Sequence, residues 1–334
     1  MIQRRTLLAT SLTASLAAPA LAQTLIRVQL RLKWLPQTQF AGFYLAVERG
    51  HYRAEGLDLT INPGGPNIQG ETIVASGAEQ FGVTGGTDSF FAARERQLPV
   101  ICIGINHQIT PFVFVAKRAS NINSLEEFRG KRVTAWFTGA HLILYGMLAS
   151  RGVTRDQVNI QPQQVSVTPF INGDVDVVAA TWFNELNIIR ARLGGDANLR
   201  LFSAEDFGIS IPRDTLVVNQ TFAQSNPRAV EGFLRASIKG WRQAKAEPAA
   251  ALESVMKIAP TLDRAHQIAM LPEAIRLMQA GPAATQGWFA LDAGVIRRAH
   301  DFFVEQRVLA APLDLAAAFR PEFLQAIPLA ERMA

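Results

Sequence analysis

Residues 26–62 read IRVQLRLKWLPQTQFAGFYLAVERGHYRAEGLDLTIN, and their rhythm decides the fold class. A β-type run over 26–32 is broken at Trp34 and Pro36. Phe40, Phe43, Tyr44 and Val47 then fall at i, i+3, i+4 and i+7, the stripe of one helix face, with Gly50 placed to end it. Residues 57–61 begin another strand. Strand, helix, strand is the unit from which parallel-sheet α/β proteins are built.

The alternation continues outward from this unit. After the break at Gly64, Gly65 and Pro66, residues 68–75 read as a short helix, 80–83 as a strand and 88–97 as a helix. Two strands follow over 99–105 and 111–116, rich in β-branched and aromatic residues. A second unit starts near Lys117: Ser124 and Glu127 form a capping box, and 131–135 is the strand behind it. A helix then runs from about 141 to Gly152. Residues 157–161 read as a strand, 169–173 as a turn, 175–179 as a strand and 184–193 as a helix. Residues 215–219 are a further strand. Beyond it the chain is mostly helical: Asn226 and Pro227 suit N-cap and N1, Val230, Phe233, Leu234, Ile238 and Trp241 form one stripe, and Asp292 caps a last amphipathic helix. The expectation is an α/β protein of two lobes, residues 23–116 with 219–334 and residues 117–218. Extended crossings near 114–117 and 215–219 would make a two-segment hinge around a ligand cleft.

Composition narrows the function classes. Residues 1–22 have the form of a cleavable signal peptide: Arg4 and Arg5, an apolar run over 7–16, and Ala20-Leu21-Ala22 before Gln23. The arginine pair suits either a twin-arginine or an ordinary secretory signal. Both predict a periplasmic protein. Without Arg4 and Arg5 the balance is 31 basic to 28 acidic residues, a net charge of +3, and no cluster of cations interleaved with aromatics marks a nucleic-acid surface. Cys102, the single cysteine, lies in an apolar run and reads as a buried, inert thiol. His51, His107, His266 and His300 lack metal-ligand spacing, and neither a Ser/His/Asp arrangement, a phosphate loop nor a dinucleotide fingerprint is present, so neither a metal, a cofactor nor a catalytic role is expected.

The stretch from Leu32 to Asp58 resembles the opening of the thiamine-pyrimidine-precursor-binding family, of SsuA/THI5-like type, through Trp34 with Pro36 and the Glu55-Gly56-Leu57-Asp58 string. Further similarity lies in residues 76–83, 125–133 and 172–177, so that it covers most of the chain to about residue 245. The resemblance implies a type II periplasmic binding-protein fold and the solute-binding component of an ABC importer, a monomer working with a permease and an ATPase. It implies a small heteroaromatic ligand: a thiamine pyrimidine precursor (formylaminopyrimidine or hydroxymethylpyrimidine) first, and riboflavin as the alternative suggested by the Lys33–Gly42 opening. A sulfonate or nitrate is disfavoured because the candidate loops carry Asp88 and Glu185 where a small anion needs cations. The family also holds pyrimidine synthases dependent on pyridoxal phosphate, with a reactive His and Lys in the segment matching 82–93 and a run of cysteines in that matching 207–213. Here both segments lack them.

Strand-end loops give the candidate ligand residues. Trp34 would stack on a flat ring, with Gln39 at the entrance of the next helix, although an indole there also suits packing between helices. Gly86, Thr87 and Asp88 open a helix after a strand, and offer either ligand contacts or a plain N-cap. Thr138, Gly139 and His141 repeat that geometry in the second lobe. Trp182, Asn184 and Glu185 follow another strand, with Asn184 and Glu185 able to read the edge of an aminopyrimidine or to serve only the helix start. On the ligand reading, Trp182 and Trp34 face each other across the cleft.

Overall fold

The computed structural model describes residues 24–65, 68–137 and 139–333. The signal-peptide segment and Thr138 lie outside them. Two five-stranded sheets organise the chain. The first has the order β2 (Leu57–Asn62), β1 (Ile26–Arg31), β3 (Phe81–Val83), β10 (Arg213–Asn219), β4 (Val100–His107). The second repeats that order as β7 (Asn159–Pro162), β6 (Arg132–Ala135), β8 (Val177–Thr181), β5 (Phe112–Lys117), β9 (Leu199–Ser203). Neighbouring pairs β1–β2, β1–β3, β6–β7 and β6–β8 are parallel, as the alternating sequence requires. The fourth strand in each order is reversed: β10 runs antiparallel to β3 and β4, and β5 to β8 and β9.

Those reversed strands move the hinge. The run 112–117 pairs along its whole length in the second sheet, and 213–219 in the first. The chain therefore crosses between lobes at residues 108–111 and 208–212, not at 114–117 and 215–219. The two crossings are tied together: Ile211 N donates to Thr110 Oγ1 at 2.7 Å, and Thr110 N donates to Glu205 Oε1 at 3.2 Å. Four smaller differences share one cause, the weakness of short local signals. Residues Thr168–Asn172 form a helical turn closed by Gly173 in the left-handed region, where a plain turn was expected. β8 starts two residues later than its apolar run, and β9 was not anticipated. Glu127 accepts from Asn123 N, so the Ser124–Glu127 capping box does not close.

Apolar burial explains the helices. The stripe Val230, Phe233, Leu234, Ile238 and Trp241 of the helix Pro227–Ala246 is wholly buried on the first lobe. There it meets Phe40, Phe43 and Tyr44 of the segment leading into Ala41–Glu48. Asp292 caps Ala293–Glu305, accepting from Val295 N at 2.9 Å, and this is not the last helix, since short ones follow to residue 332. Phe302 and Phe303 of that helix join an apolar cluster running from Phe90 and Phe91 of the first lobe to Phe114 and Phe128 of the second. Cys102 lies inside this cluster, where burial pushes its thiol up to about 12, as befits an inert packing residue. No helix among the described residues is long and apolar enough to cross a membrane.

Two consequences are measurable. A Cβ on Gly240 would collide with the Gly42 carbonyl and Ala46 across the closest helix contact of the first lobe. Because a backbone oxygen cannot yield, Gly240→Ala should destabilise by about 1–3 kcal/mol despite its better helix propensity, read as a lower urea midpoint. His107, at the hinge end of β4, is fully buried, with Nδ1 3.5 Å from Asp214 Oδ1, and burial lowers its pKa to about 4. The unfolded chain binds this proton near pH 6.5, so stability is complete above that pH and falls as pH drops toward 4, by roughly 3 kcal/mol. Chemical unfolding between pH 7 and 4 should show that slope, and His107→Asn should flatten it.

Candidate ligand-binding cavity

The carboxyl ends of β1, β3, β6 and β8 all point into one cavity of about 290 Å³ between the lobes. That volume is near the lower end of the range for small-molecule sites, roughly 300–1,000 Å³. Each sequence-derived candidate except Thr138 has a definite place. Trp34, Gln39 and Asp88 line the first-lobe wall, and Gly139, His141, Asn184 and Glu185 line the second. Gly86, Thr87 and Trp182 do not. Thr87 is wholly buried with Oγ1 donating to Pro212 O at 2.9 Å, which ties the helix Thr87–Glu95 to the 208–212 crossing, and Gly86 N donates to Ser89 Oγ at 3.1 Å at that helix's N-terminus. Trp182 turns away to pack with Ile109 and Phe183, under the Arg276 guanidinium at 5.9 Å. The aromatic wall opposite Trp34 is made instead by Trp136, Phe137 and Phe112.

Trp136 and Phe137 follow β6 directly, so the strand-end rule that found Trp34 finds them too. Lys33, Glu71 and Arg213 were also missed, for a different reason: their partners, or lack of them, depend on chain segments far away in sequence. Arg213 Nη1 meets Asp88 Oδ1 at 2.5 Å, with both side chains almost fully buried. Its guanidinium lies 4.8 Å over the Phe112 ring, and Phe112 in turn packs against Trp136 at 5.9 Å. Gly139 closes over this pair: its φ of +139° and the nearness of Asp88 and Arg213 leave no room for a side chain. Lys33 is ion-paired with Asp214, which sits at φ +57° at the start of β10. The cavity thus does hold cations: Lys33 and Arg213 each face a carboxylate of the protein, while Arg96 Nε donates to Ala92 O.

On the second lobe, Glu185 is buried and its carboxyl pKa is raised by that burial, against the pull of its hydrogen bonds. Oε2 accepts from Thr181 N at 3.0 Å and Thr181 Oγ1 at 2.6 Å, while Oε1 accepts from Asn184 Nδ2 at 2.7 Å. Asn184 Oδ1 lies 2.7 Å from His266 Nε2, on the helix Arg264–Gln279 that packs on the first lobe. Glu185 and Asn184 are therefore engaged with the protein before any guest arrives. His141 Nδ1 is 3.2 Å from Trp136 O, its ring stacks on Phe137 at 4.8 Å, and burial lowers its pKa, which favours a neutral imidazole. The arrangement is an aromatic-walled enclosure in which Lys33 and Arg213 are ion-paired, with Glu71 and Arg96 among the other charged residues of the lining. Among the described residues no group of acidic, histidine or cysteine side chains is placed to hold a metal.

Over 92% of its length the chain is 28% identical to a riboflavin-binding protein of Chloroflexus aurantiacus, covering 88% of that protein. A formylaminopyrimidine-binding protein of Halalkalibacterium halodurans is 25% identical over 70% of this chain and 71% of its own. A 4-amino-5-hydroxymethyl-2-methylpyrimidine phosphate synthase of Legionella pneumophila is 26% identical over 71% and 75%. Among solved structures, the periplasmic aliphatic sulphonate binding protein of Escherichia coli superposes with a TM-score of 0.65 at 16% identity, covering 87% of this chain and 91% of that one, which shows the fold. The family model described as NMT1/THI5 like matches residues 37–251, and the chain belongs to that family, with the two-lobed fold of periplasmic binding proteins.

Proposed function

We propose that the protein is the periplasmic substrate-binding component of an ABC importer, that its guest is a flavin of the riboflavin type, and that it acts as a monomer on the permease and ATPase without altering the guest. The observation that carries the reading is the pairing of Trp34 on one lobe with Trp136, Phe137 and Phe112 on the other, around a cavity in which Lys33 and Arg213 are each held by an aspartate. Aromatic walls favour a flat ring, and paired cations offer little to a small free anion.

Two features favour a flavin over a single pyrimidine ring. The similarity to the riboflavin-binding relative extends over nearly the whole chain, whereas that to the formylaminopyrimidine-binding relative covers 70% of it. A single ring also leaves more of the cavity, and more of its polar wall, without contacts. Against an enzymatic role, Lys33 is the lysine of the cavity wall and is held by Asp214, and the stretches 82–93 and 207–213 lack the reactive residues of the synthase branch.

Titration of the mature protein with riboflavin, followed by quenching of flavin fluorescence, should show micromolar or tighter binding, with formylaminopyrimidine a weak competitor. Trp34→Ala should weaken binding by about tenfold, from lost stacking and burial. Tight formylaminopyrimidine binding without riboflavin binding would reassign the guest. A spectral adduct with pyridoxal phosphate at Lys33 would overturn the transport reading.

A further inference from the structure

Beyond the aromatic walls, Gln39 Oε1, Glu71 Oε1 and Trp136 Nε1 are buried polar atoms of cavity-lining residues with no hydrogen-bond partner among the described residues. Gln39 and Glu71 are respectively 3% and 5% exposed. Buried polar groups in folded proteins are almost always paired, so each such atom calls for an explanation. Glu71 is the extreme case. Its neighbour in type, Glu79, is equally buried but bonds Arg31 and Asn62, and Glu185 accepts three hydrogen bonds. Glu71 makes no ion pair or hydrogen bond among the described residues, yet it faces the cavity.

The chemistry of these atoms is complementary to a particular kind of guest. Gln39 Oε1 and Glu71 Oε1 are acceptors on the first-lobe wall, so they require donors. Trp136 Nε1, on the second-lobe wall, donates only, and requires an acceptor. A flavin ring presents carbonyl oxygens and ring nitrogens, which suit the indole N–H. Its ring system has a single N–H and cannot satisfy two further acceptors on the opposite wall. Several hydroxyl groups on a flexible chain can.

We propose that Glu71 and Gln39 form a subsite for a hydroxyl-bearing chain attached to the guest's ring, and that Trp136 Nε1 donates to the ring itself. The inference rests on the flavin reading and deepens it: Glu71 is the residue that distinguishes a flavin with its polyol chain from the bare ring. A phosphate at the end of that chain would be rejected, because it would bring a second anion to Glu71.

The test compares riboflavin with lumiflavin, the same isoalloxazine ring with a methyl group in place of the chain, in wild type, Glu71→Leu and Glu71→Gln. Wild type should prefer riboflavin. Glu71→Leu should weaken riboflavin by about ten- to a hundredfold and leave lumiflavin within about twofold, as expected for loss of hydrogen bonds to a charged acceptor. Glu71→Gln, which keeps one acceptor in the same shape, should fall between. A second readout separates a ligand role from a structural one: removing an unpartnered buried carboxylate should raise the melting temperature of the empty protein in Glu71→Leu. A lower melting temperature, or equal loss of both flavins, would make Glu71 structural and sink the proposal. Wild-type affinity equal for the two flavins would sink the subsite while leaving the flavin reading intact. Failure of wild type to bind either would sink both.

Discussion

The buried ion pair between Asp88 and Arg213 is the contact on which the site depends. Asp88 stands in the first turn of a first-lobe helix, and Arg213 is the first residue of the strand that returns from the second lobe. Gly139, at the start of a second-lobe helix, lies directly on the pair. One interaction therefore fixes the hinge strand, the first-lobe wall and the approach of the second lobe. Loss of either partner would leave a buried charge uncompensated, at a cost of about 3–5 kcal/mol. A favourable pair here adds little to stability, but it holds a geometry.

That geometry has an electrostatic consequence. Arg213 and Lys33 bring positive charge to the cavity, and Asp88 and Asp214 cancel it locally. The same guanidinium lies on Phe112, which carries the aromatic wall onward to Trp136. Two ion pairs held within the protein and a run of aromatic side chains thus share the lining of the cleft. The solved sulphonate-binding neighbour shares the fold at 16% identity, so the scaffold is common while the lining determines the guest.

Much of the architecture was legible because it depends on local periodicity. The strand and helix of residues 26–48 and the long stripe ending at Trp241 are set by apolar spacing, and the structure places them within a residue or two of the expected bounds. The hinge was placed wrongly because a run such as 112–117 looks the same in either sheet, and only its antiparallel partners settle where it belongs. The strand-end rule located seven cavity residues, yet it could not tell Trp34 from Trp182. Both are tryptophans just past a strand, and the difference lies in which side of the loop finds apolar company; Trp182 finds it with Phe183 beside the helix Arg264–Gln279. Arg213 and Glu71 were beyond reach for a deeper reason, since the significance of each is fixed by a partner, or a missing one, set by tertiary folding.

Unpaired polar atoms in the wall then acquire a thermodynamic meaning. Each buried donor or acceptor left unsatisfied costs about 1–3 kcal/mol, and Gln39 Oε1, Glu71 Oε1 and Trp136 Nε1 have no hydrogen-bond partner among the described residues. That cost is carried by the empty protein and relieved only by a guest with matching groups. A close relative of the guest that lacks them gains the same stacking but leaves the atoms unpaired, which is how a polar site rejects an analogue far more strongly than an apolar pocket rejects a missing methylene. The aromatic walls supply affinity for flat rings in general. Selection among such rings falls to Gln39, Glu71 and Trp136, and the stability forgone in the empty state is the physical source of that selection.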